Sequence, residues 1–187
     1  EYHNTLAYRL GDEGAGVRTI IEMVHHTRLD TAIAPAALMR AALSEAHHWV
    51  SHRSAFQRRL IDQPLMREVL ADLALDAEGA LAVSMYLARA FDQDNADAHA
   101  LARIGVALAK YLSNKRCIRV VGEALEVLGG MGYVEDTQMP MLYREAPLNS
   151  IWEGSGNVIC LDILRTLSRA PLAAQMLMGV LDQARGC

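Results

Sequence analysis

The sequence predicts an all-α protein, an antiparallel up-down-up-down bundle of helices with almost no sheet. Of its 187 residues 52% are hydrophobic but only 5% are aromatic, and the abundance of Ala, Leu and Met favours helix over strand. Apolar or small residues alternate steps of four and three from Met66 to Phe91, a seam typical of helices that pack side by side at shallow angles. A matching pattern runs from Leu101 to Leu128, so two long helices should pack against each other.

The opening residues precede the helical pattern. "EYHNTLAYRLGDEGAG" begins without Met and is typical of the end of a preceding unit, so we expect the C-terminal part of a longer polypeptide. The glycines of Gly11–Gly16 do not have the spacing of a dinucleotide-binding fingerprint and follow no buried strand, which favours a simple turn.

The helices follow in order. The first is expected from Val17 to about Leu60, with a kink or break before Pro35, and "DQP" ends it. The second carries the seam that ends at Phe91. The third has an apolar face that includes Leu101, Ile104, Leu108, Tyr111, Leu112, Ile118, Val121, Leu125 and Leu128.

The C-terminal part alternates helix with irregular chain. Gly129–Gly132 should end the third helix, since glycine adopts the left-handed cap without steric cost. An irregular stretch to Asn149 is expected next. A last good helix is expected from about Asn157 to Ser168 with Pro171 after it, and a short helix could follow.

Charge, cysteines and histidines limit the classes of function. The net charge of −4 favours neither nucleic acid nor an anionic membrane, and no apolar run is long enough to span a bilayer. The cysteines are far apart and odd in number, which fits a reducing, cytoplasmic compartment. His48 and His52 could share a metal at i, i+4, but no Glu or Cys completes the set, so we predict no metal site.

Three short stretches could carry chemistry. Glu153 stands between Ile151–Trp152 and Gly154 in "SIWEGSGNVI", so apolar neighbours would exclude water from a carboxylate that a substrate can approach, although a helix-entry glutamate has the same pattern. Arg53 and Phe56 could hold a phosphate and stack a base, or lie on a solvated helix end. The glycines of "GGMG" could admit a phosphate to backbone N–H groups, or serve only as a helix cap.

Four motifs in order give a specific resemblance. The "RxxF" helix end, a long helix, "VLGGMGY" and "LYREAPLNSIWEGSGNV" together resemble the C-terminal helical domain of the acyl-CoA dehydrogenase family over nearly the whole chain. "EGSGN" and "HHTRLD" are most similar to the alkylation-response branch of that family. The resemblance implies that residues 1–16 are a linker from a missing upstream β-domain and that residues 17–187 are the helical domain.

The resemblance also implies catalytic residues. "WEGS" matches the motif of the family's base, so Glu153 would remove the α-proton of an acyl-CoA thioester while the β-hydride moves to FAD. Arg28 matches an arginine near the base. Some relatives place the base on the first helix, but that position is Thr27 here, which cannot serve.

The cofactor positions follow in the same way. Arg53 and Phe56 would hold the FAD of a neighbouring subunit, which implies a homo-oligomer, expected to be a tetramer. Gln57, Glu126 and Asn157 depart from the common Gly, Gln and Gln of the family. The residues at positions that would contact FAD are Arg53, Phe56, Glu126, Gly129, Gly130, Ser155 and Asn157.

The resemblance therefore implies an FAD-dependent oxidoreductase that catalyses α,β-dehydrogenation of an acyl-CoA. The isolated domain would be inactive, and the sequence identifies no electron acceptor. One alternative is an alkylation-response flavoprotein that binds DNA and has little dehydrogenase activity. Another is a purely structural oligomerisation domain.

Overall fold

The computed structural model describes residues 2–185, and helices account for most of them. The hairpin strands β1 (Ser54–Ala55) and β2 (Arg58–Arg59) have two residues each, so the predicted all-α class is confirmed. None of the described helices is both long and apolar enough to cross a membrane. The helices are α1 (Gly16–His52), α2 (Pro64–Phe91), α3 (Ala96–Val127), α4 (Gly130–Tyr133), α5 (Met139–Glu145), α6 (Gly156–Arg169) and α7 (Pro171–Gln183).

The three long helices pack against one another as antiparallel neighbours. Leu87, late in α2, clusters with Ala32 in the first half of α1 and Val106 in the first half of α3. At the opposite end Val50 and Leu70 share the main core, so each long helix reverses the direction of the one before it. Helices α6 and α7 pack against α3 and form the outer layer of the bundle.

The predicted seam of α2 is confirmed, whereas the predicted face of α3 is partly wrong. Leu70, Leu73, Ala77, Ala80, Ser84 and Leu87 are all buried. On α3, Tyr111 and Leu112 are exposed instead of buried. Because α3 lies among α1, α2, α6 and α7, it is buried on several sides, largely through small residues such as Ala102, Gly105, Ala109, Cys117 and Ala124.

Helix α1 differs from the prediction at Pro35, because it continues through this residue without a break. Proline has no N–H and leaves the carbonyl four residues earlier, that of Thr31, without its usual partner. The Asn114 side chain on α3 supplies the missing donor, with Nδ2 2.9 Å from Thr31 O. Pro35 itself is fully buried, so tertiary packing and a substitute hydrogen bond retain the helix.

Helix α1 also ends at His52, well before the predicted end near Leu60. Arg53 has extended backbone angles, and its carbonyl accepts a hydrogen bond from Leu60 N at 2.9 Å across a hairpin. Phe56 and Gln57 form the two-residue turn with φ values of +52° and +67°. Positive φ at both positions is characteristic of a type I′ turn, which usually contains Asn or Gly, so this turn has no sequence signal.

In the C-terminal part, the end of α3 and the bounds of α6 are close to the predictions, whereas the stretch between them differs. Gly129, two residues past the end of α3, has the expected positive φ of +61°, but its ψ of −138° is not that of the predicted left-handed cap. The stretch to Asn149 was expected to be irregular but contains the short helices α4 and α5. Helix α6 lies within a residue of its predicted bounds, and Pro171 occupies the first turn of a further helix, α7.

Candidate functional site

The loop of residues 149–155, called here the Glu153 loop, connects a 3-10 turn (Leu148–Ser150) to α6. Glu153 has φ of +57° and Gly154 has φ of +109°. A left-handed conformation is unfavourable for a glutamate, so the surrounding structure must stabilise it. At Gly154 a Cβ atom would lie 3.2 Å from Ile159 Cδ1, so this position combines a positive φ with close packing.

Two cations bind the carbonyl groups of the Glu153 loop. Arg28 Nε on α1 donates to Glu153 O at 3.2 Å. Lys110 Nζ on α3 donates to Asn149 O at 3.0 Å and to Gly154 O at 2.8 Å. Within the loop, Trp152 Nε1 donates to Asn149 Oδ1 at 2.8 Å. The backbone around Glu153 is therefore attached to both α1 and α3.

Arg28 is itself held by a charge cluster that the sequence did not reveal. Asp162 on α6 accepts from Arg28 Nη1 at 2.7 Å and from Arg103 Nη2 and Nη1 at 2.6 and 3.0 Å. Burial raises the pKa of Asp162, but hydrogen bonds and charge from Arg103 and Arg28 outweigh it and hold that pKa below its usual value. Asp162 thus joins α1, α3 and α6 next to the Glu153 loop.

Lys110 is a further residue of the site that the sequence patterns did not predict. Its side chain is 1% exposed. Burial and then the positive charge of Arg28 lower its pKa to about 8, against an opposing effect of Glu153. The sequence signal was a lysine whose helical neighbours Ala107 and Asn114 both belong to the buried face of α3.

The immediate neighbours of Glu153 are more open than the sequence suggested. Ile151 and Trp152 are 65% and 50% exposed, so within this chain they do not enclose the half-buried Glu153. Ser155 precedes α6 as its N-cap residue, yet its hydroxyl makes no capping hydrogen bond. Asn157 is exposed on the first turn of α6. These polar groups lie on the surface beside Glu153, where a ligand could reach them.

A second cluster lies at the other end of α1, in a groove of about 680 Å³. Four of the predicted cofactor residues line it together: Arg53, Glu126, Gly129 and Gly130. Apart from their chain neighbours and the backbone of their own helix, no atom lies within 4 Å of where a Cβ would stand on Gly129 or Gly130, so a ligand can approach their backbone. Phe56 is outside the groove at the hairpin tip and is 87% exposed.

The structure therefore divides the predicted site residues into two groups. Arg28 and Arg53 are 25 residues apart along α1, which corresponds to about 38 Å at roughly 1.5 Å per residue. Glu153, Arg28, Ser155 and Asn157 belong to the first group. Arg53, Glu126, Gly129 and Gly130 line the groove of the second, and Phe56 is at the tip of the hairpin that follows Arg53.

The histidines contribute no metal centre in the part of the chain that the structure describes. Among residues 2–185, no three His, Cys, Asp or Glu side chains are grouped to hold a metal ion. His48 and His52 are exposed, with ring centroids 4.4 Å apart. His25 contacts Phe91, and burial together with the charge of Arg103 lowers its pKa to about 4, so it is neutral near pH 7.

The molecule is thus an all-α bundle domain with an acid on a fixed loop at one end and a glycine-lined groove at the other. Residues 14–168 match the family described as "Acyl-CoA dehydrogenase, C-terminal domain", and the chain belongs to that family. It is 44% identical over 187 residues to the "Putative acyl-CoA dehydrogenase AidB" of Escherichia coli (strain K12), a match that covers 100% of this chain and 35% of that protein.

Solved structures agree with this assignment. The structure described as "Bd2924 apo-form" has a TM-score of 0.87 and 34% identity, covering 94% of this chain and 36% of its own. Caenorhabditis elegans ACDH-11, in complex with C11-CoA, has a TM-score of 0.87 and 30% identity, covering 94% of this chain and 30% of its own. The chain thus spans about a third of the length of these relatives.

Proposed function

We propose that residues 17–187 are the flavin-contacting C-terminal domain of an FAD-dependent acyl-CoA dehydrogenase, and that residues 1–16 are a linker from an upstream β-domain. The observation that carries the proposal is the Glu153 loop, where two cations bind the backbone on both sides of a surface-accessible carboxylate. A general base must be held in place relative to the proton that it removes, and this arrangement provides the rigidity.

In the proposed reaction, Glu153 accepts the α-proton of an acyl-CoA thioester. The close packing of Gly154 against Ile159 and the hydrogen bond from Arg28 to Glu153 O hold the backbone that carries the carboxylate. FAD, when bound, would accept the hydride from the β-carbon. The C11-CoA complex of the C. elegans relative supports an acyl-CoA as the substrate class.

The second cluster has groups suited to FAD. Arg53 offers a cation to a pyrophosphate, Gly129 and Gly130 leave their backbone accessible, and the exposed Phe56 offers a ring for stacking. The carboxylate of Glu126 lines the same groove and opposes a pyrophosphate close to it. The fit therefore depends on Arg53 and the glycines.

The distance between the clusters supports a homo-oligomer, which we propose is a tetramer. One flavin can hardly meet both ends of a helix about 38 Å apart, so each chain would serve its own flavin near Glu153 and a neighbour's near Arg53. Large apolar side chains exposed on α1 and α6 also favour association, among them Val17, Ile21, Leu161 and Leu164.

Replacing Arg53 with alanine in the full-length protein tests the second flavin contact. We expect Arg53→Ala to lose FAD on dialysis and to keep its melting temperature in the cofactor-free form, because Arg53 is exposed and its side chain has no hydrogen-bond or ion-pair partner among residues 2–185. Arg59→Ala, on the exposed face of the same hairpin, is the matched control and should retain FAD. Equal retention by both variants would contradict the assignment of Arg53.

The activity itself is tested by anaerobic mixing of the full-length, flavin-loaded protein with saturated acyl-CoA thioesters of increasing chain length. We expect bleaching of the oxidised flavin absorbance with at least one of them. If none of the thioesters bleaches the flavin, the dehydrogenase proposal is wrong.

The second candidate is a DNA-binding flavoprotein of the alkylation-response branch, favoured by "EGSGN" and "HHTRLD". The net charge of −4 opposes it for this part of the molecule. Anisotropy of a labelled DNA duplex separates the two, since salt-sensitive binding without flavin bleaching would support this candidate. For either candidate we propose a cytoplasmic location, which is consistent with the free thiols of Cys117 and Cys160.

A further inference from the structure

Lys110 is unusual because it is a fully buried lysine that has no carboxylate partner within the described part of the chain. Lysine is almost never buried completely without a partner charge. Its side chain is 1% exposed, and among residues 2–185 no Asp or Glu forms a salt bridge with it. Its hydrogen bonds go instead to two backbone carbonyls, those of Asn149 and Gly154.

We propose that Lys110 is a positioning residue. Its ammonium closes the Glu153 loop by binding the carbonyl of Asn149, four residues before Glu153, and that of Gly154, directly after it. The inference rests on the proposed function of Glu153 as the general base. One nitrogen joins Asn149 O and Gly154 O at 3.0 and 2.8 Å, so the two ends of the loop cannot separate while both bonds persist.

The backbone of Glu153 shows why such a device is needed. An L-residue disfavours a φ of +57°, so a free loop would relax toward negative φ and redirect the side chain. Holding Gly154 O and Glu153 O in place opposes that rotation, because the peptide planes on which they lie would have to turn. The carboxylate direction therefore depends on contacts that Lys110 makes with its neighbours.

Arg28 alone does not provide the same constraint. Within the loop it hydrogen-bonds only to Glu153 O, at 3.2 Å, while its Nη1 donates to Asp162 on α6. Lys110 makes two shorter bonds from a dry site on α3, the central helix. Charge-assisted hydrogen bonds in such surroundings are stronger than neutral ones.

The charge state of Lys110 makes its two hydrogen bonds to the Glu153 loop sensitive to pH. Burial and the charge of Arg28 lower its pKa to about 8, while Glu153 opposes the shift; Arg28 and Glu153 are the charged groups that act on it from α1 and from the loop. Above that pH the neutral amine donates weaker bonds, so the loop should loosen.

Hydrogen exchange in the full-length holoenzyme tests the proposal without relying on turnover. Ile151 N and Trp152 N donate to Leu148 O within the loop, so their exchange reports its opening. We expect Lys110→Met to speed exchange of peptides spanning 148–156 at least tenfold, with no change in peptides from α2. Arg119→Met is the matched control, an exposed cation on the same helix that faces α2 instead of the loop, and should exchange like the parent.

Flavin reduction by an acyl-CoA supplies the second readout. A displaced base should slow reduction roughly 10–100-fold in Lys110→Met with little change in the affinity for the thioester. Loop exchange equal to that of the parent, or a faster-exchanging loop with unchanged reduction, would overturn the proposal. If Lys110→Met exchanges faster than the parent but the parent itself never reduces its flavin, the function of Glu153 is contradicted and the closure of the loop is not.

A measurement on the unaltered protein covers the case in which Lys110→Met does not fold. After correction for intrinsic base catalysis, exchange of the 148–156 peptides should rise with a midpoint near pH 8, while a peptide from α5 should show no such midpoint. A loop with no transition between pH 7 and 9 would contradict the pH sensitivity, and exchange of the 148–156 peptides at pH 7 as fast as that of an unstructured peptide would overturn the proposal.

Discussion

Neutralising Asp162 should destabilise the protein more than any exposed ion pair does. Asp162→Asn leaves Arg28, whose side chain is 16% exposed, without its carboxylate partner. Breaking a buried ion pair from one side costs about 3–5 kcal/mol, and we take about 3 because Arg103 is 38% exposed and can be rehydrated. For a domain of this size, about 2–4 °C per kcal/mol predicts a fall in melting temperature of about 6–12 °C.

The assay is thermal unfolding followed by circular dichroism, with Glu135→Gln as the control. Glu135 and Arg144 form the same two-bond geometry, at 2.7 and 3.1 Å, but both side chains are exposed. Their pair is screened by water, so Glu135→Gln should leave the melting temperature unchanged. Equal shifts for the two variants would refute the conclusion that burial makes the Asp162 cluster important.

Two further predictions concern the turn of the hairpin and the loss of stability at acidic pH. Gln57→Gly should raise the free energy of unfolding by about 0.5–1 kcal/mol in guanidinium titrations, because glycine relieves the φ of +67°; a decrease would show that the side chain has a stabilising contact. His25 binds its proton at about pH 4 when folded but at about 6.5 when unfolded, so its contribution to stability is complete above pH 6.5 and is lost as the pH falls toward 4. His25→Asn should flatten the pH dependence of the melting temperature in that window, and an unchanged slope would contradict this assignment.

The sequence predicted the parts of the fold that periodic patterns encode. The seam of α2 was visible because its contacts repeat every three or four residues along one helix. The continuity of α1 at Pro35 was not, since the donor that replaces the missing hydrogen bond is on Asn114, 83 residues from its acceptor Thr31. A local rule for proline cannot include a partner on another helix.

The site shows the same division. Glu153 could be identified because its neighbours in the chain are distinctive. Lys110 and Asp162 could not, because they act on backbone carbonyls and guanidinium groups that only the folded chain brings together. The left-handed backbone of Glu153 likewise depends on these distant contacts. Supporting residues of this kind leave little trace in a single sequence.

The most direct test of Glu153 as the general base is the rate of flavin reduction measured by anaerobic stopped flow in the full-length protein. Glu153→Gln keeps the shape of the side chain but cannot accept a proton, so reduction by an acyl-CoA thioester should slow by roughly 10²–10⁴-fold with flavin content unchanged. Glu145→Gln, an exposed carboxylate at the end of α5, is the control and should react like the parent. A Glu153→Gln variant that reduces its flavin as fast as the parent would contradict the assignment of the base.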